Sequence, residues 1–270
     1  MNMTSAHRLF GWIVVALLAL GPTVAAANCI PVAQRGLPAA RVMPASFSTA
    51  ALNADEAQLT FLGHASFLIE SPAGVRIVTD YNDYIGAPSL PDIVTMNNAH
   101  STHFTNAPDP RVKHVLRGWG TEQKPAHHDL RERDVRVRNV STNVRDFNGS
   151  TRYNGNSIFI YEVAALCIAH LGHLHHVLSK ENLAELGQVD ILMLPIDGAF
   201  TMGQQDMAEV LDQLRPQLIL PMHYFSPGNL NRFLDRMRTT YKVSQREKPV
   251  LTVSRATLPT SPEIIVLPGR

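Results

Sequence analysis

Short apolar runs separated by polar and turn residues mark the chain between residues 58 and 161. These runs are rich in β-branched residues and predict strands at 59–62, 67–69, 75–78, 93–96, 135–140 and 158–161. In one of them, Val135 and Val137 alternate with Arg136 and Arg138, which is the pattern of a strand with one face in water. This half of the chain is therefore expected to form β-sheet.

Helical patterns appear mainly in the second half of the chain. Ser179 is suited to cap a helix that ends at Gly187. Two further segments carry apolar residues at helical spacing, namely Met207, Val210, Leu211 and Leu214, then Leu230, Phe233, Leu234 and Met237. Many short strands followed by strands that alternate with helices predict an α/β domain whose sheets are covered by helices.

The composition is that of a globular protein with one large domain. The chain has 270 residues, of which 45% are hydrophobic and 17% charged, enough for a substantial core. A net charge of +1 gives no electrostatic reason to expect a nucleic acid or an anionic membrane as partner. A small-molecule substrate or ligand is expected instead, and the oligomeric state stays open.

The N-terminal residues have the pattern of a secretion signal. His7 and Arg8 precede an apolar run at 12–20, a Gly-Pro pair breaks the run, and three alanines at 25–27 offer a cleavage site. The sequence predicts a signal peptide at 1–27, an N-terminal extension at 28–55 and a single domain at 56–270. Export to the periplasm or the medium follows, without stable membrane insertion after cleavage. An uncleaved anchor is the alternative, although the run is shorter than the roughly 20 residues that span a bilayer.

The chain contains two cysteines, Cys29 and Cys167. An oxidising compartment would permit a disulfide between them. Cys167 lies in the apolar run 164–169, so a buried thiol is the alternative. The sequence leaves both open.

Histidines follow three of the apolar runs. The run at 93–96 leads to His100 and His103, the run at 166–169 leads to His173, and the run at 218–222 leads to His223. Ligand sites of α/β sheets gather at the carboxyl ends of strands, and imidazole is the commonest metal ligand in proteins. These four histidines are therefore the predicted metal ligands, with a hydrogen-bonded structural histidine as the alternative at each position.

Several segments carry a family resemblance. The sequences TFLGHASFLIE at 60–70, RIVTD at 76–80, HLG at 170–172, LPIDGAFT at 194–201 and LPMHY at 220–224 resemble the metallo-β-lactamase superfamily, particularly its lactonase-like and metal-dependent hydrolase branches. The resemblance covers most of residues 57–267. It implies an αββα sandwich of two mixed sheets flanked by helices, with a metal site along one edge of the sheets.

The family's His-x-His-x-Asp-His motif is only half retained. It falls on Asn98, His100, Thr102 and His103. By the same resemblance, the next histidine ligand falls on Asn143, the bridging aspartate on His173, and the last ligand on His223. The first-metal pocket of the family would thus retain His100 beside two amides, which are weak ligands for a transition metal.

One metal ion is expected rather than two. Two divalent ions about 3.5 Å apart repel by roughly 19 kcal/mol at an effective dielectric of about 20, and the matched positions supply no carboxylate to offset this repulsion. The second pocket offers His103, His173 and His223, and three imidazoles with an open fourth position suit zinc. Imidazole also accepts iron, copper, nickel or manganese.

The favoured function is an exported metal-dependent hydrolase that activates water against an ester, lactone, amide or phosphoester. Asp197 is predicted to orient a ligand or accept a proton, with capping of a turn as its alternative. Asn98 and Asn143 are candidate donors to a developing oxyanion. His64 and His170 are candidates to orient the ligands from behind, with core histidines as the alternative.

Two other functions fit the sequence. A catalytically degenerate exported protein that binds a metal or a small ligand would explain the lost motif residues. A mononuclear iron oxidoreductase is also permitted by the resemblance, and colour or an iron signal would separate it from a zinc hydrolase.

Overall fold

The computed structural model of the protein describes residues 29, 52–87, 89–146 and 148–269. The predicted signal peptide at 1–27 lies outside the described residues. So does most of the predicted extension at 28–55. The first strand begins at Glu56.

The first sheet has six strands, and it contains the first four runs predicted from the sequence. It comprises β1 (Glu56–Gly63), β2 (Ser66–Glu70), β3 (Arg76–Val78), β4 (Ile93–Met96), β5 (His114–Arg117) and β13 (Val250–Ser254). The order is β13-β1-β2-β3-β4-β5. The sheet is mixed, because β3, β4 and β5 run parallel while the other pairs are antiparallel.

The second sheet has eight strands. It comprises β6 (Asp129–Glu132), β7 (Val135–Arg145), β8 (Thr151–Val163), β9 (Leu166–His170), β10 (Ile191–Pro195), β11 (Leu218–Met222), β12 (Lys242–Gln245) and β14 (Glu263–Val266). The order is β12-β14-β11-β10-β9-β8-β7-β6. Strands β6 to β9 pair antiparallel, whereas β9, β10, β11, β14 and β12 pair parallel. The carboxyl ends of β9, β10 and β11 therefore lie at the same edge of this sheet.

Three helices cover the outer face of the eight-stranded sheet: α1 (Lys180–Leu186), α2 (Gln204–Leu214) and α3 (Pro227–Met237). The Ser179 side chain caps α1 and Gly187 ends it, as the sequence predicted. The apolar faces predicted for the other two helices are buried against this sheet, with Met207 and Phe233 fully enclosed. None of the helices in the described residues is long and apolar enough to cross a membrane.

The main core lies between the two sheets. Phe61, Phe67 and Ile77 from the first sheet pack with Phe159 and Tyr161 from the second. The outer face of the first sheet is covered by loop residues such as Phe104 and Trp119 rather than by a helix among the described residues. The predicted α/β sandwich of two mixed sheets is therefore confirmed.

A disulfide joins Cys29 to Cys167 on β9, with a Cα–Cα distance of 5.7 Å. The backbone carbonyl of Cys29 also accepts a hydrogen bond from the N–H of Gln188. The bridge, which the sequence left open, connects residues 138 positions apart and fixes Cys29 against the domain.

Candidate metal centre

Four imidazoles from four separate turns meet at one edge of the sandwich. His64 lies in the turn between β1 and β2, and His103 follows β4. His173 follows β9, and His223 is the first residue after β11. His64 and His223 both have positive φ, at 51° and 54°, and the backbone N–H of His223 donates to the carbonyl of His64. This bond joins the two sheets at the point where the imidazoles gather.

The rings of these four histidines form one cluster. The ring centroid of His103 lies 5.1 Å from that of His223 and 4.7 Å from that of His173. The rings of His173 and His223 are 5.3 Å apart, and His64 lies 4.3 Å from His223. His103, His173 and His223 are buried, while His64 is partly exposed. Residues up to 159 positions apart in sequence thus share one small site.

A buried carboxylate fixes each of the two central imidazoles. His103 Nδ1 lies 2.6 Å from Asp80 Oδ2, and His223 Nδ1 lies 3.1 Å from Asp197 Oδ1. An ionised carboxylate only accepts hydrogen bonds, so each Nδ1 carries a ring proton, and in a neutral ring Nε2 then presents a lone pair. The two Nε2 atoms face each other at 3.2 Å. Two lone pairs at this distance are satisfied by a cation bound to both.

The spacing of two ring nitrogens fits a tetrahedral divalent ion, and a third nitrogen lies nearby. Zinc–imidazole bonds of about 2.0–2.1 Å in tetrahedral geometry place two ligand nitrogens about 3.3–3.4 Å apart. The observed 3.2 Å between His103 Nε2 and His223 Nε2 is close to this. Ligand nitrogens of His64, His103 and His223 all lie within 4.8 Å of one another, and His64 Nε2 is a buried nitrogen without a hydrogen-bond partner. The donor set is therefore one that a transition metal would complete.

Burial keeps several of these imidazoles neutral. It lowers the pKa of His103 well below the usual value, and the charges of His223 and His100 act in the same direction. Burial, followed by the charges of His223 and His103, lowers the pKa of His64 to about 3. Burial likewise lowers the pKa of His173. Because metal ligands must be deprotonated, these rings are ready to bind at neutral pH.

Asp80 is a site residue that sequence reasoning missed. It stands two positions after β3 with a positive φ of 46°, and its side chain is fully buried. Burial raises its pKa to about 6, although the nearby His170 and the N–H of Asn97 oppose the shift. The segment RIVTD contained the signal, since its last residue is an acid at a strand end. Nothing in the sequence connected this acid to His103.

Asp197 holds both His223 and its own turn. Its Oδ2 accepts backbone N–H bonds from Ala199, Phe200 and Thr201, while Oδ1 accepts from the Thr201 hydroxyl and faces His223. Burial acts to raise its pKa, but the hydrogen bonds from His223 and Thr201 prevail and hold the pKa below its usual range. Turn capping, which the sequence analysis gave as the alternative role, is observed, and the same carboxylate also holds the ring of His223.

The ring nitrogens of His64, His103 and His223 form a three-nitrogen group, and His173 lies beside this group rather than within it. The preceding Gly172 has φ +60°, and a Cβ there would come within 2.5 Å of Asn97 and 2.6 Å of Asn156 Oδ1. The backbone N–H of His173 donates to the same Asn156 oxygen. Its Nδ1 is buried without a partner. The three histidines whose ring nitrogens lie together are His64, His103 and His223, whereas the sequence predicted His173 in place of His64.

His170 binds the backbone and not its fellow histidines. Its Nε2 lies 2.7 Å from the carbonyl of Ala65, and its Nδ1 accepts the N–H of Gly172 at 3.1 Å. Both ring nitrogens are thereby used. His170 thereby connects the His64 turn to the His173 turn.

The residues predicted for the first-metal pocket do not form a second metal-ligand group in the described part of the chain. Asn98 Oδ1 accepts a hydrogen bond from Arg152 at 3.0 Å, and Asn143 Oδ1 accepts the backbone N–H of Asn154 at 3.0 Å. His100 is exposed, its ring stacks on His173, and its Nδ1 lies 3.1 Å from the hydroxyl of Thr102. The side-chain oxygens of both asparagines therefore accept hydrogen bonds from other residues.

Comparisons with known proteins agree with this architecture. A metal-dependent hydrolase from Nanoarchaeum equitans is 26% identical over 183 residues, covering 62% of this chain and 83% of that protein. One from Pyrococcus furiosus is 28% identical over 195 residues, covering 62% of this chain and 84% of that protein. A solved structure from Thermotoga maritima, described as a candidate zinc-dependent hydrolase of the metallo-β-lactamase superfamily, is 25% identical with a TM-score of 0.57, and the match covers 79% of this chain and all of that one.

The profile of one family matches most of the domain. It is described as the β-lactamase superfamily domain, and it aligns with residues 58–223, which is more than half of the chain. The match ends at His223, so it includes all four clustered imidazoles and both of their carboxylate partners. The chain therefore belongs to the metallo-β-lactamase superfamily.

Proposed function

We propose that the protein is an exported metal-dependent hydrolase that uses one divalent metal ion, held by His64, His103 and His223, to cleave an ester, lactone, amide or phosphoester. The observation that carries this proposal is the pair of facing Nε2 atoms of His103 and His223, 3.2 Å apart, each ring fixed from behind by a buried carboxylate. The metal-dependent hydrolases among the relatives support the same reaction class.

Zinc suits this donor set best. Three neutral imidazoles with an open fourth position are the ligands of hydrolytic zinc sites, and zinc bound there would supply Lewis-acid activation of water near neutral pH. Asp80 and Asp197 hold the protons of the two rings on Nδ1, which keeps both Nε2 lone pairs directed at one point. The same two carboxylates partly offset the charge of a divalent ion without binding it.

Elemental analysis of protein purified without a histidine tag tests the metal site. We expect about one metal ion per chain in the wild type and its loss in the variants His64→Ala, His103→Ala and His223→Ala. His127→Ala is the matched control, since His127 is exposed and lies outside the site. Unchanged metal content in all three site variants would reject the proposed pocket.

His173→Ala decides the third ligand. With its unpartnered Nδ1 and its ring 4.7 Å from that of His103, His173 is the other imidazole able to complete the set. Metal retained in His173→Ala and lost in His64→Ala supports the set proposed here. The reverse result would restore the set His103, His173 and His223 predicted from the sequence.

Turnover separates the hydrolase from a protein that only binds metal. We expect metal-loaded protein to hydrolyse at least one member of a panel of 4-nitrophenyl esters, lactones and phosphoesters, and His103→Ala to lose that activity. Bound metal without turnover on any member of the panel would favour the binding protein. That alternative draws on the engagement of Asn98 and Asn143 in structural hydrogen bonds.

Export is supported by the Cys29–Cys167 disulfide, because such bonds persist in oxidising compartments and are rare in the cytosol. The signal-like pattern at 1–27 supports the same location. Mass spectrometry of the fractionated protein tests this part of the proposal. We expect a chain that begins at residue 28 in the periplasm or medium, without free thiols. A full-length cytosolic chain with two free thiols would contradict export.

A further inference from the structure

A cavity of about 280 Å³ adjoins the imidazole cluster. It lies on the side where the family motif is degenerate, and its wall includes Asn98, His100, Arg145, Arg152, His173 and His175. His173 therefore belongs both to this wall and to the imidazole cluster. A group bound in the cavity would lie next to any substrate bond held at the metal centre.

The structure holds the guanidinium of Arg152 in place at the cavity wall. Its Nη2 donates to Asn98 Oδ1 at 3.0 Å and to the carbonyl of Gly155 at 3.4 Å. A Cβ on Gly155 would come within 2.7 Å of Arg152 Nε, so the guanidinium packs where only glycine leaves room. Arg152 is exposed in strand β8, yet its charged end is positioned against the cavity by three separate contacts.

Two buried donors in the same wall have no hydrogen-bond partner. Asn98 is 1% exposed, and its Nδ2 is unpaired although its Oδ1 is bound. His175 Nδ1 accepts the backbone N–H of Arg145 at 3.0 Å, which leaves the proton of the neutral ring on Nε2. That Nε2 is also buried and unpaired. Unpaired buried donors are costly, and an acceptor group bound nearby would relieve them.

The arginines of the wall are not neutralised by carboxylates within the described residues. No ion pair to an acid is formed by Arg145 or Arg152 there. Asp146 also lines the cavity, but its Oδ1 accepts backbone N–H bonds from Asn148 and Ser150. The wall thus combines two guanidinium groups with unpaired N–H donors, which is the chemistry that binds an oxyanion.

We propose that this cavity binds a carboxylate or phosphate group of the substrate, with Arg152 as the central contact. The inference rests on the proposed function and narrows its substrate class to small anionic esters, lactones, amides or phosphoesters. Arg152 supplies a positive charge in the cavity wall, where its guanidinium is bound to Asn98. The cavity is slightly smaller than the roughly 300–1,000 Å³ of typical ligand sites, which suits a compact acid group.

Calorimetric titration tests the anion site without requiring turnover. The probes are benzoate, phenyl phosphate and the neutral benzyl alcohol, each added to metal-loaded wild type, Arg152→Gln and Arg131→Gln. Arg131 is the matched control, an exposed strand arginine outside the cavity wall. Metal content is measured for each variant, so that weaker anion binding is not mistaken for loss of the metal. An anion that binds only to the metal would bind equally to all three proteins.

We expect Arg152→Gln to weaken binding of at least one anion about tenfold or more, since a charge-assisted hydrogen bond is lost, while Arg131→Gln binds like the wild type. A loss confined to benzoate assigns a carboxylate, and a loss confined to phenyl phosphate assigns a phosphate. Arg145→Gln is a second variant in the same wall and is expected to weaken the same anion, so the test survives if Arg152→Gln fails to fold.

Wild-type protein that binds neither anion, or anion affinities within about twofold of wild type in both arginine variants, would overturn the proposal. The outcome is distinct from that for the hydrolase. Arginine-dependent binding without any turnover leaves the anion site intact and rejects the hydrolase. Hydrolysis of neutral esters with arginine-independent anion binding supports the hydrolase and rejects the anion site.

Discussion

The imidazole cluster and the adjoining cavity place similar side chains in different surroundings. In the imidazole cluster, the Nδ1 atoms of His103 and His223 are bound by the buried carboxylates of Asp80 and Asp197, so both Nε2 atoms are free. In the adjoining cavity, His100 is exposed and its Nδ1 faces the hydroxyl of Thr102 rather than a carboxylate. A hydrogen-bond partner behind a metal-binding imidazole fixes its tautomer and its direction, and carboxylates supply this for His103 and His223 but not for His100.

The two pockets also differ in charge. The cluster has two buried carboxylates directly behind its imidazoles, a setting that favours a cation. The cavity has Arg145 and Arg152 in its wall, together with Asp146, whose Oδ1 accepts two backbone N–H groups. Adjacent sites of opposite preference are suited to a substrate that carries an acid group near the bond to be cleaved.

The largest effect is expected from His103→Asn. The asparagine amide keeps an N–H near the position of Nδ1 to serve Asp80, but the Nε2 lone pair that faces His223 is lost. Metal affinity should fall by more than about 100-fold, beyond the loss typical of a group that only supports a ligand. Competition with a chromogenic chelator measures the affinity, and circular dichroism verifies the fold. Wild-type affinity in this variant would remove His103 from the ligand set.

Asp80→Asn should have the next largest effect. The change retains the shape of the side chain but removes the negative charge behind His103, and metal affinity should fall about 10–100-fold. The same chelator competition measures it. Asp83→Asn is the control, because Asp83 is an exposed acid on the following loop. Equal affinity in both variants would show that Asp80 has no part in orienting the ligand.

Gly155→Ala perturbs the cavity and spares the cluster. A Cβ at this position would lie 2.7 Å from Arg152 Nε and 2.6 Å from Val144 Cγ2, so the guanidinium must move. We expect anion affinity to fall about 2–10-fold with metal content unchanged. Gly86→Ala is matched to it, since a Cβ at Gly86 meets no atom within 4 Å. A similar loss of anion binding in both variants would show that displacement of Arg152 is not its cause.

The smallest effect on the metal is expected from His100→Ala. His100 belongs to the retained half of the motif, but its ring is exposed and stacks on His173 instead of joining the three-nitrogen group. Metal affinity should stay within about twofold of the wild type, as for most surface substitutions. Loss of half the metal or more by elemental analysis would place His100 among the ligands and narrow the difference between the two pockets.

Local patterns were sufficient for most of the fold. The strands β1 to β4 and the faces of α2 and α3 follow directly from apolar periodicity, because a side chain's position in a strand or helix is set by its immediate neighbours. Shorter and more polar strands were not predicted, such as β6 with residues DLRE and β12 with residues KVSQ. These segments become strands because they pair with β7 and β14, and their own sequences carry little strand pattern.

The sequence by itself determined that histidines would stand at the ends of several strands and that half of a metal-binding motif is missing. Only the tertiary structure decided which of them meet, that Asp80 and Asp197 fix two of the rings, and that His64 rather than His173 completes the three-nitrogen group. The physical reason is range: periodicity acts over a few residues, whereas the direction of a ring nitrogen depends on a hydrogen-bond partner 23 or 26 positions away in the chain and on the register of two packed sheets.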